Sequence, residues 1–338
     1  MREPAFWHRP RSFTSYLLWP LGAVYGAITA QRMQRQGFEA GVPVVCVGNY
    51  HMGGAGKTPT VLALANILRE LGENPVVLSR GYGGERRGPV MVDPEKHTAR
   101  EVGDEPLMLA AHLPVAVARD RVEGVALAKS RLASVILMDD GFQNPALAKH
   151  VALVVIDSER GIGNGLVFPA GPLRAPLAPQ LARTDALVVI GTGAAAKAVA
   201  AAVAAAGRPV LAAQLVPDAA AVTKLRGKRV LAFAGIGDPA RFFRTLQASG
   251  IEVSQQKAFA DHHCFSAGEI EALVADARRD GLILVTTEKD LVRLRGEAEL
   301  SALAREIVPF PVTLQFDDAE ALRKFLTDRL FKAREFRG

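Results

Sequence analysis

Cysteine is nearly absent from this sequence: two in 338 residues, Cys46 in an apolar run and Cys264 in a polar one, without paired spacing. That excludes a disulfide framework and a cysteine-based zinc site, and it reads as a reducing compartment. Aromatic residues are scarce at 6%, and no basic stripe is interleaved with them. A net charge of +6 therefore does not point to nucleic acid, and no nucleic-acid partner is expected. A long apolar span is missing too. The N-terminal candidate, residues 16–30, is shorter than the ~20 clean apolar residues a crossing needs, and Pro20 interrupts it. A signal peptide would need a small-residue cleavage site and a secreted body after it, and the body here reads as cytosolic.

What is present is ordinary globular material, 49% apolar and 22% charged, in a chain long enough for two domains. Part of the positive excess sits at the N-terminus, where Arg2, Arg9, Arg11, Arg32 and Arg35 face only Glu3 and Glu39. With Trp19 and Tyr25 inside the arginine-flanked apolar run, two readings stand: a helix lying in a membrane interface, or a helix docked on the protein. An anionic lipid surface or a phosphorylated substrate suits the charge.

Short, continuous, β-branched runs alternate with helical stretches at residues 42–47, 75–78, 114–118, 135–138, 152–156, 186–190 and 209–213. Buried parallel strands look like this, so the expected fold is α/β: a doubly wound, mostly parallel sheet with helices on both faces. A second α/β set follows residue 220, with strands expected at 229–234, 251–254, 282–285 and 311–315. The expected division is 1–35 as an interface helix region, 36–220 as the nucleotide domain and 221–338 as a smaller α/β domain. Gly48-Asn49, Ser79-Arg80-Gly81-Tyr82, Arg119-Asp120-Arg121, Asp139-Asp140 and Asp157 follow successive strands. All fall on the carboxyl edge of one sheet, where open α/β folds bind ligands.

The run Gly48-Asn-Tyr-His-Met-Gly53-Gly54-Ala55-Gly56-Lys57-Thr58-Pro59 leaves a strand and opens a helix. Backbone N–H groups of such a loop converge on phosphate oxygens, and the helix N-terminus adds positive potential. Met52, Gly53, Gly54, Ala55, Gly56, Lys57, Thr58 and Pro59 are thus the expected ATP-binding residues, with Lys57 also stabilising the transferred group and the Thr58 hydroxyl on Mg²⁺. The strict G-x-x-x-x-G-K-[ST] pattern is broken by His51 in its first glycine position. Asp139 and Asp140 end an apolar strand. A strand meeting a turn is the commoner meaning of that pattern, but after a phosphate loop it reads as the Mg²⁺ partner. Asp104 and His262 are candidates for the base that a kinase needs, against plain roles as a helix cap and a surface residue.

Together these motifs resemble the tetraacyldisaccharide 4′-kinases of lipid A synthesis. The markers are Val47-Gly-Asn and the phosphate loop, Leu78-Ser-Arg-Gly-Tyr-Gly-Gly84, Val102-Gly-Asp-Glu-Pro106, Asp139-Asp-Gly-Phe-Gln143 and Gly161-Ile-Gly-Asn164. They continue with Pro169-Ala-Gly-Pro-Leu-Arg174, Ala234-Gly-Ile-Gly-Asp-Pro239, Asp261-His-His263 and Thr286-Thr-Glu-Lys-Asp290. The resemblance implies ATP-dependent phosphorylation of the 4′-hydroxyl of a tetraacylated glucosamine disaccharide 1-phosphate. It implies a peripheral or monotopic enzyme on the cytoplasmic face of a Gram-negative inner membrane, whose two domains close around the nucleotide. On its pattern Asp104 is the general base and His262 its tuner. Arg80, Tyr82, Arg119, Arg121, Asn164 and Arg174 stand as substrate-binding residues. Two positions depart from the pattern: Ala175, where many relatives carry Glu, and Asp238, where Asn is frequent. The rival class is a membrane-associated, partner-switching ATPase of the partition type. Its second loop lysine has no counterpart in Tyr50-His51-Met52, and the second α/β set is foreign to it.

Overall fold

The computed structural model describes residues 3–335; Arg2 of the N-terminal arginine group lies outside them. Nine strands form the larger sheet: β1 (Val44–Asn49), β2 (Pro75–Ser79), β3 (Val90–Met91), β4 (Val115–Val117), β5 (Val135–Asp139), β6 (Val151–Asp157), β7 (Ala186–Ile190), β8 (Val210–Pro217) and β13 (Val312–Phe316). Their order is β13-β8-β7-β6-β1-β5-β2-β4-β3, parallel except at the two ends. Helices cover both faces. The strand period of two sorts Val45 and Val47 into one core and Val44 and Cys46 into the other. The chain order reverses at β1, which lies between β5 and β6, so the crevice outside its carboxyl end is the switch point of the sheet.

The smaller sheet is all parallel in the order β10-β9-β11-β12, from β9 (Arg229–Ala234), β10 (Glu252–Ala258), β11 (Ile283–Thr286) and β12 (Val308–Pro309). The expected boundary of the smaller unit at 221–338 differs from this pairing. β13 runs antiparallel beside β8, and the helix Ala319–Glu335 sends Leu322, Leu326 and Leu330 into the larger core. The cause is visible in the side chains. β8 and β13 alternate between exposed and buried positions, the signature of a half-solvated antiparallel edge rather than a buried parallel strand.

Helix α1 (Phe13–Met33) runs through Pro20. Its docked face is made of small residues: Ser15, Gly22 and Gly26 are buried. A Cβ on Gly22 would meet the carbonyl oxygen of Val167 at 2.8 Å, so glycine is needed for the approach. The bulky apolar side chains point the other way. Phe13, Tyr16, Leu17, Trp19, Leu21, Val24 and Ile28 are all exposed. Among the described residues no helix is long and apolar enough to cross a membrane.

Candidate active site

The phosphate loop leaves β1 and enters α2 (Lys57–Glu70), which Gly56 starts from a left-handed φ of +85°. Gly53 has φ +90°, which a residue with a side chain adopts only under strain. His51 bridges Leu173, and the Met52 N–H donates to Pro172 O at 2.9 Å, so residues 172–174 brace the loop from outside. Pro59 lies in the first turn of α2, where no N–H is required, and Val61, Leu64 and Leu68 anchor the helix in the core.

Of the two aspartates at the end of β5, Asp140 reaches this loop. Asp140 has φ +49° and receives both nitrogens of the Arg174 fork at 2.7 and 3.1 Å; Lys57 Nζ lies 3.7 Å from its Oδ1. Burial raises the Asp140 carboxyl, but Lys57 and Arg174 outweigh it and hold the group well below the usual carboxylate range. Asp139 is 1% exposed and has the opposite fate. Burial first, then the negative charges of Glu105 and Asp140, push it up to about 7. Its Oδ1 is buried without a hydrogen-bond partner among the described residues. An orphaned carboxylate oxygen beside a phosphate loop fits a cation. No group of three His, Cys, Asp or Glu side chains able to hold a metal occurs among the described residues. A magnesium ion shared with phosphate oxygens and water needs no such group.

Asp104 begins the helix Asp104–Ala110 and is 5% exposed. Its Oδ2 lies 3.0 Å from His262 Nδ1, across from the smaller unit, and accepts from Arg293 Nε at 2.7 Å. Lys289 Nζ is 3.8 Å away and bonds Glu105 at 3.0 Å. Burial raises the Asp104 carboxyl, yet the His262 hydrogen bond and the charges of Lys289 and Arg293 override it, so the group stays ionised far into acid. Arg293 is itself fixed by Asp290 at 2.6 Å and by Gly235 O at 2.8 Å. Asp290, fully buried, takes the Gly235 N–H. Thus the loop 235–239 and the helix Glu288–Arg295 are tied together as one piece against Asp104. The same loop reaches the phosphate loop: a Cβ on Gly237 would lie 3.4 Å from Gly54 N.

The remaining expected residues divide. Arg80, Tyr82 and Arg119 are exposed on the carboxyl edge, with the Tyr82 ring edge-on to His262 at 5.5 Å. Arg121 is not available to a substrate. It is 1% exposed and donates to Asp139 O and Ala118 O, so it acts as a buried counter-charge beneath the aspartates. Asn164 is used up structurally, donating to Ala170 O and Ser15 Oγ and accepting from Leu166 N–H. Arg174 is committed to Asp140 and His51 O. Ala175 is fully buried.

Lys289, Arg293 and Glu105 surround Asp104, and the sequence reading gave them no role. A signal existed, since Lys289 lies in Thr286-Thr-Glu-Lys-Asp290 and Arg293 is four residues on, on the same helix face. Their target on another unit could not be read.

The model for the family described as tetraacyldisaccharide-1-P 4′-kinase matches residues 14–331. A tetraacyldisaccharide 4′-kinase of Bradyrhizobium diazoefficiens is 68% identical over 337 residues, covering 100% of this chain and 99% of its own. The enzyme of that name from Nitrobacter winogradskyi is 64% identical over 334 residues, covering 99% of each chain. Among solved structures, LpxK from Aquifex aeolicus in complex with ATP superposes with a TM-score of 0.70 at 25% identity, covering 94% of this chain and 99% of that one. A phosphate loop facing two aspartates, capped by a second unit, is common to many phosphotransferases; matches that run end to end are not. The chain belongs to the family of tetraacyldisaccharide-1-phosphate 4′-kinases.

Proposed function

We infer that this protein transfers the terminal phosphoryl group of ATP to the 4′-hydroxyl of a tetraacylated glucosamine disaccharide 1-phosphate, giving lipid IVA on the route to lipid A. The observation that carries the reading is the Asp104–His262 pair, set between the phosphate-loop unit and the smaller unit. A partner-switching ATPase would have no use for a base aimed at an acceptor. Incubation of the purified protein with radiolabelled ATP and a tetraacyldisaccharide 1-phosphate tests it: label must appear in the lipid, and release of labelled phosphate alone would sink the reading.

The phosphate loop, from Met52 to Pro59, binds the nucleotide's phosphates through its amides, and Lys57 stabilises charge on the group in flight. Thr58 and the Asp139–Asp140 pair would hold a Mg²⁺ ion, which would neutralise charge on the phosphate oxygens. Arg174 keeps the Asp140 carboxylate in place. Asp104 accepts the proton of the 4′-hydroxyl. With Arg293 on it this carboxylate is a weak base, which suits a loose transition state in which phosphoryl transfer runs ahead of deprotonation. His262, hydrogen-bonded to it, orients the carboxylate and shares the proton it gains. Arg80, Tyr82 and Arg119 are the accessible side chains for the acceptor's sugar and phosphate.

The acceptor carries four acyl chains and stays in a bilayer, so the site must be brought to the membrane surface. Helix α1 supports a monotopic attachment. Its glycine face is docked and its apolar face is outward, the reverse of a helix that serves only to complete a core. The arginines Arg9, Arg11, Arg32 and Arg35 flank it and suit an anionic leaflet. We place the protein on the cytoplasmic face of a Gram-negative inner membrane, where ATP is present.

A further inference from the structure

The N-terminal turn Ala5–His8 is pinned by Trp7, which is 5% exposed. Its indole N–H donates to Pro169 O at 3.0 Å, and its carbonyl accepts the Asn164 N–H at 2.7 Å. This anchor sets the Glu3 carboxylate on the phosphate loop. A Cβ on Gly53 would lie 1.7 Å from Glu3 Oε1. Glu3 Oε2 accepts from Arg160 Nη2 and lies 2.5 Å from His8 Nε2. Arg160 stands three residues beyond the end of β6, on the same sheet edge as the rest of the site, and Nη2 is also 3.0 Å from His8 Nε2. Among the described residues, two atoms of this cluster are buried with no hydrogen-bond partner: Glu3 Oε1 and Arg160 Nη1.

A carboxylate beside the Gly53 turn of a phosphate loop, paired with an arginine that has a spare buried N–H, is an anion site with a protein anion in it. We propose that Arg160 and the rim of the loop at Gly53 bind the terminal phosphate of the nucleotide, and that Glu3 is its resident competitor. Arg160 then exchanges a carboxylate for a phosphate without ever losing an anionic partner. The fork-shaped guanidinium takes a phosphate with both terminal nitrogens, which gives Nη1 the partner it lacks. Among the described residues only Glu3 and Pro4 need to swing aside, because the turn behind them remains fixed by Trp7. On the terminal phosphate, Arg160 touches the transferred group and is a catalytic residue. This rests on the kinase reading for its chemistry but not for its test, which reads nucleotide binding in the absence of lipid.

Binding of ATP and of ADP, each with magnesium, is measured by calorimetry on the full chain and on Glu3→Gln, Arg160→Met and Arg160→Lys. Glu3→Gln removes the competing charge, so ATP binding tightens by roughly tenfold, and ADP binding by less. Arg160→Met weakens ATP by about tenfold or more while ADP changes little, and Arg160→Lys recovers part of the loss. In turnover, Arg160→Met lowers kcat by at least about 10²-fold, in the range of one lost transition-state donor. Glu3→Gln with unchanged or weaker ATP binding overturns the proposal, whatever Arg160→Met does and even if that variant fails to fold. Equal losses for ATP and ADP in Arg160→Met overturn it too. So does an effect confined to the KM of the lipid, which would assign Arg160 to the acceptor's phosphate. A wild-type protein that binds ATP but labels no lipid would defeat the proposed function and leave this binding test intact.

Discussion

His262 Nδ1 lies 3.0 Å from Asp104 Oδ2, although 158 residues separate them in the chain. The contact joins the two sheets of the molecule at the point where, on the proposed reaction, an acceptor hydroxyl loses its proton. A general base contributes ~10²–10⁴-fold, so Asp104→Ala loses about that much in kcat with ATP binding largely kept. His262→Ala loses less. Because the pair acts as a unit, the double variant is little worse than Asp104→Ala alone. Losses that multiply would mean the two residues act independently.

Arg293, after His262 and Lys289, is one of the groups that lower the Asp104 carboxyl. The folded Asp104 carboxyl is held far below its unfolded value of about 4. Its contribution to stability is therefore complete above that pH and is lost as pH falls through the folded value. Wild-type kcat/KM accordingly shows no acid limb from Asp104 above about pH 4. Arg293→Met removes one of the charges responsible, so an acid limb emerges at higher pH while Lys289 and His262 remain. A pH–rate profile that keeps the wild-type shape in Arg293→Met argues that the arginine only holds the units together.

Lys57→Ala nearly abolishes turnover while the far-ultraviolet circular dichroism and melting temperature stay close to wild type. The lysine faces Asp140 and the phosphate loop rather than a core, and its charge acts on the transition state. A folded variant with near-normal kcat would remove Lys57 from the chemistry.

Asp139 carries the opposite linkage sign to Asp104. Its folded value is raised to about 7, so the folded state binds the extra proton and stability falls as pH rises from about 4 towards 7. Asp139→Asn removes that penalty. In magnesium-free buffer at pH 8 the variant's melting temperature exceeds that of wild type, and added Mg²⁺ stabilises it less. Activity is lost or shifts to higher Mg²⁺ concentration. If the Asp139→Asn protein melts lower than wild type without metal, the buried charge is being stabilised by something other than the groups named here.

For the membrane, Leu17→Ser, Leu21→Ser and Ile28→Ser are combined, all on the outward face of α1. Taking ~1 kcal/mol for each partly inserted side chain, the partition coefficient onto anionic vesicles falls about 100-fold. Properties that need no lipid, such as ATP binding, stay intact. Undiminished vesicle binding by the triple variant would move the attachment surface elsewhere.

Local pattern was enough for much of this molecule. The buried parallel strands, the phosphate loop and the aspartates ending β5 were legible because each depends on a few consecutive residues: β-branched runs hide from water, glycines free the amides, and carboxylates stop a strand. Family resemblance, which is also a linear property, supplied the reaction. Other features follow only from how distant segments pack. Residues 311–315 read as a strand, but whether it joined the smaller or the larger sheet depended on β8 having a free antiparallel edge. Arg121 and Arg119 look alike in sequence; burial under Asp139 takes one away from any substrate and leaves the other on the rim. The apolar run of α1 could have pointed inward or outward, and the glycines at 22 and 26 decided it by allowing a close approach to residues 167–176. The cations Lys289 and Arg293 gained their meaning from Asp104, and Arg160 gained its own from Glu3. A charge is written in the sequence, but the charge that it faces is set by the fold, because Coulomb energy depends on separation in space and on the water excluded between the partners.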